Sequence, residues 1–299
     1  MNNVNTISNV NECPVTYSEI KSPFAVYGGE TLKNSSGEFV MPHFEPSELE
    51  QLILILTEKF LVVTSILLYE EMKELQVENI TQIDIQRRLK KLANAGFLVK
   101  QMFSTPDGNH SATAVYKLGF RGIGYLKGLG RRARLQGYLA QSDATHIKRI
   151  LSAVQFVVKH RIAPEDFEIC PIVMVPQKNP ETSADKIFRP QAMIRSEDRT
   201  VFVEAIRQNE AWKQEILDKL NRIAAVINSK KKNIPIQNPT LVLVAESTKH
   251  MQEVIKLVES EYVYSKIEIF YTADPIIYAQ PESCLYQIKR NFWDTLLAM

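Results

Sequence analysis

Apolar positions recur with a helical period in three successive segments between Pro46 and Gly96. The first follows Pro46-Ser47, where Glu48 and Glu50 suit a helix N-terminus and Leu49, Leu52, Ile53, Ile55 and Leu56 supply apolar surface. The second runs from about Thr64 to Leu75 with Ile66, Leu67, Tyr69 and Met72, and Gln76-Val77-Glu78-Asn79 separates it from the third by the length of a turn. The third is the best punctuated, with Thr81 as N-cap, Asp84 as its capping-box partner and Gly96 just past the end. At roughly 100° per residue, Ile85, Leu89 and Leu92 share one face. Ile83, Arg87, Lys90 and Asn94 share the opposite one, with Lys91 beside them.

The period then changes. Strands are expected over Phe97 to Phe103 and Thr113 to Leu118, joined by the turn residues Thr105-Pro106-Asp107-Gly108-Asn109, which makes a hairpin directly after the third helix. A connecting helix is predicted from Ala144 to His160. Beyond it, strands are predicted over Phe167 to Val175, Phe188 to Ile194, Thr200 to Ile206, Thr240 to Ala245 and Lys266 to Tyr271. Helices over Glu210 to Ser229 and Lys249 to Tyr262 alternate with the later strands, the signature of an α/β sheet with crossover helices. A closing helix is predicted from Tyr286 to Leu297, and Trp212 and Trp293 are read as core or interface anchors in helices. Residues 1 to 45, rich in Asn, Ser and Gly, read as a mobile arm. The expected division is therefore an arm at 1–45, a first domain at 46–135 and a second at 136–299.

Composition narrows the class. At 299 residues with 45% hydrophobic and 23% charged positions, the chain can bury more than one core and is not of disordered type. The apolar run Leu61 to Leu68 is far short of the roughly 20 residues of a membrane span. The start Met1-Asn2-Asn3-Val4-Asn5 does not read as a secretory signal, so a cytoplasmic protein without a membrane partner is expected. Cys13, Cys170 and Cys284, an odd number at wide spacings, read as reduced thiols. The net charge of +2 is uninformative, but from Ile80 to Arg134 there are eleven basic residues against only Asp84 and Asp107, which points to a polyanion.

A major groove admits one α-helix, and it needs cations for the phosphates and donors or acceptors for the base edges. The third helix carries both. Arg87 and Lys90, with Gln82, Gln86 and Asn94, are assigned to base edges, and Arg88, Lys91, Lys100, Asn109 and His110 to phosphate or minor groove. Lys230-Lys231-Lys232 fits a helix C-terminus as well as a DNA contact. Gly122, Gly124 and Gly128 imitate half of a dinucleotide loop but lack a βαβ setting, so they are read as a glycine-rich helix start. His43, His110, His146, His160 and His250 lie too far apart for a local metal motif, and no cofactor is expected.

The order Leu89-Lys90-Lys91-Leu92-Ala93-Asn94-Ala95-Gly96-Phe97-Leu98, a hairpin, then Tyr116-Lys117-Leu118-Gly119-Phe120-Arg121-Gly122 resembles the winged-helix pattern of many regulators. The whole chain is similar to the replication-relaxation family of Gram-positive plasmids and mobile elements. That resemblance implies an α+β winged helix-turn-helix domain followed by an α/β restriction-endonuclease-like domain. The segment Arg189-Pro190-Gln191-Ala192 … Val201-Phe202-Val203-Glu204-Ala205-Ile206 stands where the nuclease-like pattern has its mark. Magnesium-dependent hydrolysis needs two oxygen ligands and a cation, from an Asp, a Glu and a Lys two residues on. Here those positions are Gln191, Glu204 and Ile206, so one carboxylate survives; Arg207 is out of phase, and Lys213 or Lys219 would have to reach in from the next helix.

These readings lead to a sequence-specific double-stranded DNA-binding protein of a plasmid or phage that regulates transcription, replication or partition and is not an enzyme. The second domain is expected to serve homodimerisation, higher homo-oligomerisation, or binding of a replication or conjugation protein. The alternative is a magnesium-dependent nuclease or nickase acting at a mobile-element origin.

Overall fold

A computed structural model describes residues 44–103, 113–131, 133, 144–175, 186–229, 233–261 and 267–288, with the strand backbones Pro23–Tyr27, Leu32–Lys33, Phe39–Val40 and Leu296–Ala298. The chain is a mixed α and β protein with a mixed sheet. No helix among the described residues is long and apolar enough to cross a membrane.

Helices α1 (Glu48–Phe60), α2 (Ser65–Glu74) and α3 (Gln82–Asn94) open the part with described side chains. Each starts where local chemistry favours it. Ser47 donates its backbone N–H and its hydroxyl to the Glu50 carboxylate at 2.8 and 2.9 Å. Thr81 and Asp84 make the reciprocal box at α3, each backbone N–H donating to the other's side chain at 3.2 Å. Gly96 takes a φ of +77° just past α3, the left-handed turn that a glycine adopts without strain.

The chain then enters β4 (Leu98–Phe103) and β5 (Thr113–Leu118), an antiparallel hairpin in which Leu98 faces Leu118 and Gln101 faces Val115. Val63, between α1 and α2, exchanges two backbone hydrogen bonds with Tyr116, at 2.9 and 2.8 Å, tying the helices to the hairpin. Helix α4 (Phe120–Gly128) follows. Gly119 and Gly122 are there because of space: a Cβ would come within 2.6 Å of the Gly96 carbonyl oxygen at the first and 2.3 Å of the Phe97 carbonyl oxygen at the second.

One part of the arm departs from expectation. Pro23–Tyr27 forms β1, antiparallel to β4, and the short β2 (Leu32–Lys33) and β3 (Phe39–Val40) pair with each other. The apolar run Phe24-Ala25-Val26-Tyr27 is strand-forming, and the free side of β4 supplies the ladder that completes it. The rest of residues 1 to 43 lies outside the described residues.

Helix α5 (Ala144–Lys159) leads into a seven-stranded sheet. Its order is β14 (Leu296–Ala298), β13 (Tyr286–Ile288), β12 (Glu268–Ala273), β11 (Pro239–Ala245), β10 (Thr200–Ala205), β9 (Ala192–Arg195) and β6 (Phe167–Ile169). The central β10, β11 and β12 run parallel, joined through α6 (Trp212–Asn228) and α7 (Thr248–Glu261). Helices α5 and α8 (Asp274–Ala279) pack together, as do α6 and α7; α5 lies on β6, β9 and β10, and α7 on β11 and β12. Trp212 meets the His250 ring edge-on, a core placement.

Three strand and helix expectations are corrected. The single strand read over Phe167 to Val175 is two, β6 and β7 (Val173–Val175), in different sheets, because Cys170 turns with a φ of +48° ahead of Pro171. The strand read over Phe188 to Ile194 is likewise split into β8 (Lys186–Phe188), paired with β7, and β9, with the break at Arg189-Pro190. The closing helix expected over Tyr286 to Leu297 is not found among the described residues: Tyr286–Ile288 and Leu296–Ala298 are strands, because β12 leaves an edge that Tyr286 extends opposite Tyr271. Residues 289–295, Trp293 included, lie outside the described residues, and the short α8 carries no expectation from the sequence.

The helical part and the sheet meet along a shared apolar core. Phe60 stacks on Phe167 with ring centroids 5.7 Å apart, and Lys159 pairs with Glu70 at 2.6 Å.

Candidate functional site

Helix α3 sorts its residues as the helical period requires. Ile85, Leu89 and Leu92 are fully buried, whereas Gln86, Arg87, Lys90 and Asn94 are exposed and Gln82 is half-buried. Ile83 lies on the outer side, 59% exposed. Arg87 and Lys90 enter no ion pair among the described residues, so their charge is available to an outside anion. Gln86 touches Ser65 of α2 only at a long 3.5 Å.

Arg88 and Lys91, assigned with the phosphate contacts, are instead turned onto Glu50 of α1. Lys91 Nζ lies 3.1 Å from Glu50 Oε1 and 4.5 Å above the Phe44 ring, and Arg88 reaches the same oxygen at 3.7 Å and the Ser47 hydroxyl at 3.2 Å. Burial pushes the Glu50 carboxyl up, but hydrogen bonds from the Ser47 backbone and from Lys91 outweigh it and hold the group below the usual carboxylate range. With its side chain 1% exposed, Glu50 is a buried anion that fixes α3 against α1. Nothing within α3 signals this clamp, because its anion stands on another helix.

Other contacts within the chain thin the basic cluster further. Arg121 donates to the Ala95 carbonyl at 2.7 Å and covers the Phe97 ring, and Arg131 pairs loosely with Glu58 at 3.7 Å. Lys100 on β4 is half-buried opposite Tyr116 and Tyr27, and burial lowers the Lys117 ammonium below its ordinary range. Arg132, Arg134, Asn109, His110 and Lys230 to Lys232 lie outside the described residues. The charge on offer is thus concentrated at Arg87 and Lys90, with Lys127 exposed on α4.

In the sheet, the nuclease-like positions are occupied by structural contacts. The Gln191 amide oxygen accepts the Ala205 N–H at 3.0 Å, and Ile206 is buried. Glu204, 1% exposed, is raised by burial and countered by Lys219 of α6, whose Nζ lies 2.6 Å from Oε2. Lys219 therefore does reach Glu204 from α6. Among the described residues no group of three or more His, Cys, Asp and Glu side chains gathers as a metal site would require.

The sequence reading also missed a charged knot at the C-terminal ends of the parallel strands. Arg207, fully buried past β10, pairs with Asp274 at 2.9 Å and with Glu246 at 3.9 Å, and donates to the carbonyls of Ile206 and Lys148 at 3.0 and 3.3 Å. Ser152 of α5 donates its hydroxyl to Asp274. Glu246 and Asp274 each stand directly after an apolar strand, the signal from which the knot could have been found.

Comparison with protein-family profiles, with curated proteins and with solved structures finds no match for this chain.

Proposed function

We propose that the chain binds double-stranded DNA, with α1 to α3 and the β4–β5 hairpin acting as a winged helix-turn-helix and α3 entering the major groove. The observation that carries this reading is the polarity of α3: a sealed apolar side under an outward one presenting Gln86, Arg87, Lys90 and Asn94. The hairpin that follows and the Val63–Tyr116 tie support it. The role is regulation of transcription, replication or partition on a plasmid or phage, and the likeness to the replication-relaxation family rests on sequence segments alone. The α/β part, read as a restriction-endonuclease-like scaffold without catalysis, serves dimerisation or binding of a replication or conjugation protein. Its residues do not fit a divalent metal, since Gln191 holds a backbone N–H where a second carboxylate would stand.

A gel-shift titration against fragments of the native replicon tests the reading. Affinity should fall steeply with salt, and Arg87→Ala with Lys90→Ala should weaken specific binding by about a hundredfold, as loss of two groove contacts at ~1–3 kcal/mol each requires. Failure of the native chain to retain any duplex at low salt would refute it, and magnesium-dependent cleavage lost in Glu204→Ala would replace it with a nuclease.

The Glu50 clamp gives a second expectation. Lys91→Met should lower the melting temperature while leaving the salt dependence of duplex binding unchanged, because Lys91 spends its charge on Glu50. A flatter salt dependence, by roughly one unit of slope, would instead return Lys91 to the phosphates.

A further inference from the structure

We propose that Ile83 reads a thymine methyl group in the major groove, so that the duplex site carries a thymine facing the first turn of α3. The inference rests on the duplex reading above and adds to it a base that the helix selects.

Ile83 is the apolar member of an otherwise polar line. At roughly 100° per residue, Ile83, Arg87, Lys90 and Asn94 fall within about 60° of one another, and at a rise of about 1.5 Å per residue the line is about 16 Å long. Arg87, Lys90 and Asn94 offer hydrogen-bond donors along it, whereas Ile83 offers hydrocarbon alone. The fold does not use that hydrocarbon. Ile80 packs against the core and Ile85 is fully buried, but Ile83 is 59% exposed and belongs to neither group. Isoleucine is also a weaker helix former than the Gln and Arg residues of the same helix, so local propensity does not account for it either.

The surroundings choose the partner. Arg87 and Lys90, next along the line, enter no ion pair among the described residues, and Asp84, the one acid of α3, is held by Thr81 at the N-cap. An apolar protein surface laid over Ile83 would desolvate those two cations without pairing them. A major groove presents anionic phosphates and base acceptors to the cations and a methyl group to the isoleucine in one surface. The thymine C5-methyl is the one apolar substituent on the major-groove edges of the four bases. Ile83 is the second residue of α3, and a recognition helix brings its N-terminal residues to the base edges.

Gel-shift titration of native-replicon fragments retained by the full chain, amplified once with dTTP and once with dUTP, tests this, because uracil lacks the thymine methyl and is otherwise identical. The native chain should bind the dUTP product about fourfold more weakly, the loss of one buried methyl group. Ile83→Ala should bind the dTTP product weakly by a similar factor, bind both products equally, and melt at no lower temperature than the native chain. Lys90→Ala should lose affinity for both products yet keep the preference for thymine. Equal binding of the two products by the native chain would overturn the proposal, as would a thymine preference that persists undiminished in Ile83→Ala. Either of those results leaves the duplex reading standing, whereas retention of no fragment at low salt removes that reading and this inference with it.

Discussion

Replacing Arg207 with methionine is expected to cost about 3–5 kcal/mol of folding stability at neutral pH, the range for removing one partner of a buried ion pair. Arg207 is the cation between Asp274, 2% exposed, and Glu246, and it holds the ends of β10, β11 and β12 to the Lys148 carbonyl of α5. Burial raises both carboxyls above their ordinary values, and Arg207 is the first influence that opposes the rise at each. Without it both acids rise further. An acid whose folded pKa lies above its unfolded one loses stability as pH rises, so the deficit of Arg207→Met should shrink as pH falls toward the unfolded carboxylate range, about 4. Urea unfolding at pH 7 and at pH 4 reads this directly. A deficit of equal size at both values would assign the loss to packing, and adding Asp274→Asn with Glu246→Gln should recover much of it if charge is the cause.

The second large effect is a gain. Glu71 of α2 is buried with its carboxyl pushed up to about 7, first by loss of solvent and then by the nearby Glu74. Below about pH 4.5 the group is protonated in both folded and unfolded chains and costs nothing; as pH rises through 7 the folded chain must ionise a buried acid, and stability is lost. A shift of that size corresponds to roughly 3 kcal/mol, which solvent screening reduces to about 2. Glu71→Gln should therefore stabilise the protein by about 2 kcal/mol at pH 8 and by almost nothing at pH 4. Paired denaturation curves at the two pH values check it, and a gain that does not depend on pH would mean the amide found a hydrogen bond that the carboxylate lacked.

Much of the helical part is legible in the sequence because its signals are local. Thr81, Asp84 and Gly96 bracket α3 through their own backbone chemistry, and the phase of Ile85, Leu89 and Leu92 gives its inner side. The charge on its outer side is only half legible. Arg87 and Arg88 are neighbours with the same formal charge, yet one is exposed and enters no ion pair among the described residues and the other is drawn to Glu50 by the packing of a separate helix. The split strands were visible in principle, since Pro171 and Pro190 stand beside the breaks at Cys170 and Arg189. β13 was not, because three residues of mixed polarity become a strand only when the edge of β12 is there to pair with. The Arg207 knot needed the topology: only the parallel order brings the ends of three strands separated in sequence to one place.

The same contrast between near and distant pairing sets the order in which the chain can fold. Leu98 to Leu118 closes a small loop, and Thr81 caps its own helix, so the helical part and its hairpin can form as soon as they leave the ribosome. Thr200 must wait for Pro239, and Thr240 for Glu268, each across a whole crossover helix. During synthesis the apolar strand Thr200–Ala205 is therefore made well before its parallel neighbour, and in that interval the edge that will receive Pro239–Ala245 is open to association with another nascent chain.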